Sequence, residues 1–578
     1  MTLSFDQLQS LYSNYKDAET IEIPYNSYDN VNILQVCEKA QKIIINYNNI
    51  QQLVIYQKFE HLKELSITSN QLEVLNINAD LITLNLSNNK FANIDSFIKY
   101  QYLTSLNISN NQLNSQQSMR PILSLIPNLS QLNASSCNLK NLSVFLNIMQ
   151  DESDSKLQLL NISLNPGISL KGLQQCKILT NLDVNSSGLF DITMFSKLLN
   201  LKQLNLSHNH EICSLECLTP LIQIQQLDID EIGAKTLNGL QNMTDLVYLM
   251  ARRNKFTHVN ELEKLTQLKD VGLSQNKIFD LSGLRNAVNI ETIQLDGNQL
   301  HSLEGLPRYS TKLASLSIYN NQDLKNIMYI GFYPNLKHFC AAYCNLESLQ
   351  GMENIPKVQR VFIYNNQLKS LKGIEKCKYI KELRAERNIL ENLDGIQYLE
   401  QLNHFDVSNN LLSSIKELEG LKQLERININ ENQVKSLEGI ENILSLQYID
   451  AWSNQISSFY YLKSLKNLMF LNVAKNHISD IRQLLFLCDL PELKRIWLVE
   501  QGKNNSQGSN KLCADSDYPN FVIQVLPKLE AFEYLAYYDC GAEYCDYNFD
   551  DEQKNKAMEQ VLTIPELTEE LIKELKEQ

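Results

Sequence analysis

The 578-residue sequence lacks several features that would place it in common functional classes. It has only 18 glycines, and none of them forms a Gly-rich phosphate-binding loop. Its eight histidines are scattered along the chain, and no Ser/His/Asp set that could form a catalytic triad lies in a segment outside the repeating part of the sequence. No apolar run reaches the length that a membrane span requires. These absences argue against an enzyme and against a membrane-spanning protein, and we expect no cofactor.

Two further absences concern location and partners. The first residues, MTLSFDQLQSLYSNYKD, have neither the basic start nor the continuous apolar core of a secretory signal, so we expect a cytoplasmic or also nuclear protein. A strongly basic surface is missing as well. The net charge is -14, and residues 530–578 contribute most of it because they contain 14 acidic residues and 4 lysines. We therefore expect no binding to nucleic acid. We also expect a monomer that does not bind a membrane.

One pattern, LxxLxLxxNxL followed by a return segment, organises the chain, and LERININENQVKSLEGIE at Leu424 is a full copy. Ile427 and Ile429 point to one face of a short strand because strand side chains alternate. Asn432 lies where the chain bends, and its amide can bond backbone groups of adjacent turns. Gly439 permits an unusual dihedral or a close approach in the return segment. A single turn cannot bury its own apolar edge, so the copies must stack.

The pattern recurs down almost the whole chain. From Leu336 to Leu468 every step is 22 residues, and the return segment often reads Leu-x-Gly-Leu or Leu-x-Gly-Ile. The first apolar positions of the 22 copies are Ala18, Ala40, Leu62, Leu81, Leu103, Leu129, Leu157, Leu179, Leu201, Ile224, Leu246, Leu268, Ile290, Leu313, Leu336, Val358, Ile380, Leu402, Leu424, Leu446, Leu468 and Leu493.

These copies resemble leucine-rich repeats of the 22-residue short-repeat class. The resemblance implies an α/β fold, a leucine-rich repeat solenoid in the form of a curved horseshoe. Its concave side would be a parallel β-sheet, with short helical or 3-10 return segments on the convex side. We expect the solenoid over residues 18–500. Residues 1–17 should contain a capping helix, since Ser4 and Gln7 are spaced as a capping box.

Three stretches depart from the short repeat. The long copies at Leu103 and Leu129 include PILSLIPN and VFLNIMQDESDSK, which we expect to form convex helices. Residues 533–578 are an acidic tail, in which Thr563 begins a predicted helix that either docks on the cap or binds a partner. Residues 501–532 resemble the carboxy-terminal cap of short-repeat proteins, with Lys511 where proline is usual. The resemblance is carried by Asn510, Leu512, Tyr518, Val522, Leu526, Pro527, Leu529 and Phe532.

The twelve cysteines are interpreted as reduced structural thiols. Cys137 and Cys344 occupy the Asn position of their turns, and others fall at apolar positions of return segments, namely Cys176, Cys217 and Cys377. His208, His210, Cys213 and Cys217 are residue types that zinc prefers. The repeat, however, puts His208 on the outer strand face and Cys217 in the return segment, so we expect no metal site.

The function of such a scaffold is to bind another molecule, and the outward side chains of the strands determine which partner binds. From Leu246 onward these residues become aromatic or charged, and both tryptophans lie among them. Such residues are enriched at protein-binding hot spots. Alternatively they pack against one another as cross-strand ladders, because neighbouring strands lie about 4.8 Å apart. The predicted partner-binding residues are Tyr248, Arg252, Tyr319, Tyr343, Arg360, Phe362, Tyr364, Arg384, Glu386, Asp406, Asp450, Trp452, Phe470 and Trp497.

The 22-residue period, the Leu-x-Gly-Leu return segment and the cap together resemble the type 1 protein phosphatase regulatory subunit family. In that family a concave face with acidic and aromatic residues grips the phosphatase catalytic subunit. The chain departs from the family in having more turns and in adding arginines and tyrosines to the face. The resemblance implies a non-catalytic scaffold or adaptor that regulates such a phosphatase; the alternative is a cytoskeletal or ciliary (axonemal) assembly factor. By resemblance the candidates are Glu386, Asp406, Asp450, Trp452, Phe362 and Trp497.

Overall fold

A computed structural model describes residues 2–92, 97, 99–113, 128–142, 155–498, 510–514, 522, 525, 526 and 528–532. The chain divides into two compact units: unit 1 is Met1–Ile290 and unit 2 is Glu291–Gln578. In both, short strands alternate with return segments that contain 3-10 helices.

Unit 1 begins with a helix, α1 (Phe5–Leu11). Its strands are β1 (Thr20–Glu22), β2 (Lys42–Ile44), β3 (Gln52–Phe59), β4 (Glu64–Ser66), β5 (Val74–Ala79), β6 (Thr83–Asn85), β7 (Ser105–Asn107), β8 (Gln131–Asn133), β9 (Leu159–Asn161), β10 (Asn181–Asp183), β11 (Gln203–Asn205), β12 (Gln226–Asp228), β13 (Tyr248–Met250) and β14 (Asp270–Gly272). Its 3-10 helices are Asn32–Val36, Leu173–Gln175, Thr193–Lys197, Glu216–Leu218, Asn260–Leu262 and Ser282–Leu284.

Unit 2 repeats the same arrangement. Its strands are β15 (Thr292–Gln294), β16 (Ser315–Ser317), β17 (His338–Cys340), β18 (Arg360–Phe362), β19 (Glu382–Arg384), β20 (His404–Asp406), β21 (Arg426–Asn428), β22 (Tyr448–Asp450), β23 (Phe470–Asn472), β24 (Arg495–Trp497) and β25 (Ala531–Phe532). Its 3-10 helices are Met328–Phe332, Met352–Asn354, Ile396–Tyr398, Lys416–Gly420, Tyr460–Leu462, Ile481–Leu487 and Lys511–Ala514.

The three-residue strands pair in parallel with the strands of the adjacent copies. In unit 1 the order is β1, β2, β4 and then β6 to β14, and in unit 2 it is β15 to β25. Each of the 22 predicted copies contains a strand that begins two residues after its predicted first apolar position. The predicted parallel sheet is therefore confirmed copy by copy.

The buried side chains of a turn are those that the repeat pattern predicts. In the copy at Leu424, Leu424 and Ile429 are 0% exposed and Ile427 is 1% exposed. These side chains lie between the strands and the return segments, so each turn covers its neighbours with apolar surface. Gly439 has φ +108, and a Cβ there would lie 2.8 Å from the Cα of Lys416. The close approach predicted at this glycine is confirmed.

The predicted amino-terminal helix is present as α1. Its capping box is formed by the backbone N–H of Gln7, which donates to Ser4 Oγ at 3.3 Å, and the backbone N–H of Ser4, which donates to Gln7 Oε1 at 2.9 Å. Leu8 is fully buried, so the helix covers the start of the repeats.

A second, two-stranded parallel sheet was not predicted. β3 and β5 lie in the return segments of two consecutive copies and pair with each other. Leu53 and Ile55 on β3 are buried, as are Leu75 and Ile77 on β5. This period of two favours strands over 3-10 turns, so the return segments of these copies are extended.

Several predictions fall outside the described residues. They are the convex helix of PILSLIPN, nearly all of that of VFLNIMQDESDSK, the loop before the cap, Tyr518 and Pro527 of the cap, and the acidic tail with its helix. In the part of the chain that the structure describes, no helix combines the length and apolar character needed to cross a membrane.

Candidate functional site

The outward side chains of each unit form three columns, because parallel pairing aligns equivalent residues of neighbouring strands. The first column contains the first residue of each strand, such as His404, Arg426 and Tyr448. The second contains the third residue, such as Asp406, Asn428 and Asp450. The third contains the residue two positions after the strand, such as Glu386 and Trp452. Residues 22 positions apart in sequence thus become neighbours about 4.8 Å apart.

A trough of about 640 Å³ lies on this outward face in unit 2, across strands β19 to β24. It brings together four of the predicted residues, Arg384, Asp406, Asp450 and Phe470. Residues that line it and that the sequence did not predict include His404 and Arg426, and the outward Tyr448 lies beside them. All three belong to the first column, and aligning the copies by their first apolar position places them beside the predicted residues.

Three aromatic rings form a continuous stack at one end of the trough. The rings of Tyr448 and Phe470 are stacked with centroids 4.2 Å apart, and Phe470 meets Trp497 edge to face at 4.9 Å. Phe470 is only 8% exposed, so most of its ring is covered by its neighbours. It packs between Tyr448 and Trp497 in the manner of a cross-strand ladder. The guanidinium of Arg426 lies 6.0 Å from the centroid of Tyr448.

A second ladder of rings contains three predicted tyrosines. Tyr343 makes edge-to-face contacts with Tyr319 at 5.2 Å and with Tyr364 at 5.7 Å. The guanidinium of Arg384 lies 5.3 Å from the Tyr364 centroid. Tyr343 remains 38% exposed, so the ladder presents a rigid aromatic edge to solvent.

The acidic residues of the face differ in how well they are paired. Arg384 Nη2 lies 2.8 Å from Glu386 Oε1, and Glu386 is 8% exposed. The predicted partner contact at Glu386 is therefore largely covered by its own neighbours. Asp406 accepts hydrogen bonds from the backbone N–H of Ser408 at 3.0 Å and from Asn428 Nδ2 at 3.0 Å.

Asp450 is half-buried, and among the described residues its Oδ1 atom accepts no hydrogen bond. The same holds for Oε2 of Glu386. Burial raises the pKa of Asp450 to about 6, although the nearby amides of Asn430 and Asn472 oppose the shift. For Glu386, burial and then the neighbouring Asp406 raise the pKa. A cationic group that approaches such a carboxylate stabilises its charged form.

No protein-family model matches the sequence, and neither does any curated protein. Solved structures do match. A leucine-rich repeat protein of Leptospira interrogans superposes with a TM-score of 0.55 at 21% identity, covering 70% of this chain and 99% of that one. The plant peptide hormone receptor RGFR1 in complex with RGF2 superposes with a TM-score of 0.56 at 18% identity, covering 82% and 84%.

The fold is that of a leucine-rich repeat solenoid. The register, the buried pattern and these two structural neighbours agree on it.

The remaining predicted residues of unit 2 lie on the outward face of the solenoid. Arg360 Nε is 3.6 Å from Glu382 Oε2, and Phe362 is half-buried in the next column. Trp452 is half-buried, with Lys475 Nζ 5.1 Å from its ring centroid. These residues flank the trough without lining it.

Two predicted residues, Tyr248 and Arg252, belong to unit 1 of the solenoid. Tyr248 is 40% exposed and lines a separate trough of about 670 Å³. Arg252 is held by Asp230, which is 8% exposed. Its Nη2 and Nε atoms lie 2.6 and 2.8 Å from Asp230 Oδ2. Arg252 is thus partly committed to an internal ion pair.

The His/Cys cluster of unit 1 also follows the repeat geometry. His208 Nδ1 lies 3.5 Å from Glu231 Oε2 on the outward side, whereas Cys217 Sγ donates to the carbonyl of Ile192 at 3.3 Å in the return segment. Cys137 and Cys344 are buried at the Asn positions, where their thiols donate to carbonyl oxygens. Within the described ranges, no group of three or more His, Cys, Asp or Glu side chains is arranged to hold a metal ion.

Proposed function

We propose that the chain is a non-catalytic protein-binding scaffold, and that its binding site is the outward strand face of unit 2. The observation that supports this most is the trough with its aromatic stack of Tyr448, Phe470 and Trp497. Rings that already pack against each other lose little conformational freedom when a partner covers them. The adjacent Arg426 and Asp450 supply charges that can select a complementary surface.

We further propose that the partner is the catalytic subunit of a type 1 protein phosphatase. The support is the resemblance in repeat period, return segment and cap, together with acidic and aromatic residues in matching columns. Asp406 and Asp450 lie in the trough, and Trp452 and Trp497 lie beside it. The division into residues 1–17, 18–500, 501–532 and 533–578, a monomeric state and a cytoplasmic or nuclear location are part of the same proposal.

The test is calorimetric titration of the full chain with purified type 1 phosphatase catalytic subunit. The face variant carries Arg426→Ala and Trp497→Ala. A matched control carries Arg285→Ala and Tyr398→Ala, which remove the same kinds of side chain from exposed return segments. Circular dichroism should show all three proteins equally folded. We expect the intact chain and the control to bind alike, and the face variant to bind at least tenfold more weakly.

The outcomes separate the two parts of the proposal. Equal binding by the face variant would reject unit 2 as the binding face. If the phosphatase does not bind at all, the partner is wrong. Affinity purification from cells then tests the cytoskeletal alternative, which predicts that tubulin or axonemal proteins are captured by the intact chain and lost with the face variant.

A further inference from the structure

The trough of unit 1 has a different chemistry from that of unit 2. It crosses strands β7 to β13, and its lining consists mainly of leucine, amide and hydroxyl side chains. Among the described residues that line it there is no lysine or arginine, while Asp183 and Asp228 are acidic. Nucleic acid and other polyanions are therefore disfavoured as ligands.

Second-column asparagines in this trough are held in one orientation. The side-chain oxygen of Asn107 accepts the backbone N–H of Ser109 at 3.0 Å, and Asn133 accepts that of Ser135 at 3.1 Å. Asn205 accepts the N–H of Ser207 at 3.0 Å. Because each amide oxygen is occupied within its own turn, the amide nitrogen is left as the group facing the trough.

These nitrogens form a row of hydrogen-bond donors. In the described part of the chain, the Nδ2 groups of Asn107, Asn133 and Asn205 donate to no acceptor, although all three side chains line the trough. Asn161 keeps the same orientation, but its Nδ2 donates to Asp183 Oδ2 at 3.3 Å. The row extends from β7 to β11, which is four strand spacings or about 19 Å.

We propose that this trough binds an extended polypeptide segment that contains a lysine or arginine. The carbonyl oxygens along one edge of the segment accept hydrogen bonds from the asparagine row, and its basic side chain reaches Asp183 or Asp228. An extended chain rises about 3.3 Å per residue, so about six residues cover the row. Each of the two carboxylates gains a charge partner that the lining itself does not contain.

The state of the two aspartates agrees with this assignment. Burial raises the pKa of Asp183 and of Asp228, so each carboxylate is short of solvation in the unliganded chain. An incoming ammonium or guanidinium group favours the charged form and offsets that deficit. The site is separate from the proposed face of unit 2 and does not depend on it.

The experiment uses the full chain and a positional-scanning library of decapeptides, in which one residue is fixed at one position in each pool. The donor variant carries Asn107→Ser, Asn133→Ser and Asn205→Ser. Serine retains an oxygen that can accept the N–H two residues later, and it removes the amide donor without adding charge. The matched control carries Asn30→Ser and Asn392→Ser, two return-segment asparagines whose side-chain oxygens also accept the backbone N–H two residues later.

We expect pools with a fixed lysine or arginine to bind most strongly, the donor variant to bind at least tenfold more weakly, and the control to match the intact chain. A second variant, Asp183→Asn with Asp228→Asn, should keep peptide binding but lose the preference for basic residues. This variant should fold normally, since asparagine already occupies the same column on β7, β8, β9 and β11.

Three outcomes would overturn the proposal. One is that no pool binds the intact chain. Another is that the donor variant binds the pools as the intact chain does, although circular dichroism shows that it is folded. Loss of binding by the control variant in place of the donor variant counts as the same outcome. The third is that neutral oligosaccharides such as dextran fragments bind at the asparagine row and the peptides do not, which would assign the trough to a polyhydroxyl ligand.

Discussion

The side-chain oxygen of Asn432 accepts a hydrogen bond from the backbone N–H of Leu412, 3.0 Å away and 20 residues earlier in the chain. Asn432 Nδ2 also donates to the carbonyl of Val407 at 3.0 Å, so one buried amide joins two consecutive turns. Equivalent bonds recur at Asn388, Asn410 and Asn454. The asparagine of the repeat therefore satisfies backbone groups that the short strands leave without a partner.

Replacing Asn432 with alanine should destabilise unit 2 by about 2–4 kcal/mol, because a buried donor and a buried acceptor lose their partners. Asn432→Cys should be milder. At the same position of their turns, the thiols of Cys137 and Cys344 donate to carbonyl oxygens at 3.0 and 3.3 Å. Urea denaturation followed by circular dichroism measures both. Gln367→Ala, at an exposed position, is the control. If Asn432→Ala is as stable as this control, the hydrogen bonds of Asn432 do not hold the two turns together.

Gly439→Ala should destabilise the chain by about 2 kcal/mol or more, because φ is +108 and the new Cβ would lie 2.9 Å from the carbonyl oxygen of Ile415. Gly420 provides the matched control. Its φ is not in the left-handed region. Among the described residues beyond its own helix and chain neighbours, the atom that an added Cβ would approach is the carbonyl oxygen of Gln397, at 3.3 Å. Urea midpoints of Gly439→Ala and Gly420→Ala should differ clearly, and equal midpoints would reject the conformational explanation.

The stability contribution of Asp450 should decrease as pH rises. Its pKa is raised from 3.8 to about 6 in the folded chain, so between these values the folded state keeps a proton that the unfolded state has lost. The free energy of unfolding therefore falls through this window. Asp450→Asn should stabilise the chain at pH 7.5, by on the order of 1 kcal/mol, and much less at pH 4.

Urea unfolding of the intact chain and Asp450→Asn at both pH values measures this difference, because other titrating groups are common to the two proteins. The control is Asp394→Asn, which makes the same chemical change at an exposed position in unit 2. A stabilisation by Asp450→Asn that is the same at pH 4 and pH 7.5 would show that the carboxyl group does not titrate as stated.

Phe470→Ala should change the environment of Trp497 and lower stability, since Phe470 lies between Tyr448 and Trp497 and is 8% exposed. We expect a cost of about 2–4 kcal/mol, at the lower end of buried phenylalanine truncations. Trp452→Phe leaves Trp497 as the single tryptophan, so a red shift of fluorescence in that background reports its exposure. Tyr398→Ala, on a return segment, should give no shift; the same spectrum with and without Phe470 would contradict the stack.

The positions of the strands could be predicted because the repeat pattern is local and strong. Leu424, Ile427 and Ile429 specify which side of a short strand is buried, and the same signal occurs in every copy. The extended strands β3 and β5 were missed for a related reason. Their alternating buried residues lie in return segments, where the average repeat predicts a tight turn. Pairing between the return segments of the two neighbouring copies decides that they form strands and not turns.

The candidate site was only partly predictable. Strand alternation places Arg384, Asp406 and Asp450 on the outward face, and the structure brings them together in the trough. The same rule cannot tell that Glu386 is covered by its pairing with Arg384. Nor can it tell that Phe470 is covered by rings from the turns on either side.

By itself, the sequence determined the repeating turn, the position of each strand in a copy, and the buried and outward sides of that strand, because these depend on residues close together in the chain. Only the tertiary structure decided which outward groups remain available to a partner. Three features all depend on the side chains around them: the amide nitrogens of Asn107, Asn133 and Asn205 and the oxygen of Asp450, which have no partner among the described residues, and the position of Phe470 between two rings. Many of those neighbours come from turns about 22 residues away, and their side-chain conformations and burial are set by packing rather than by the period of the sequence.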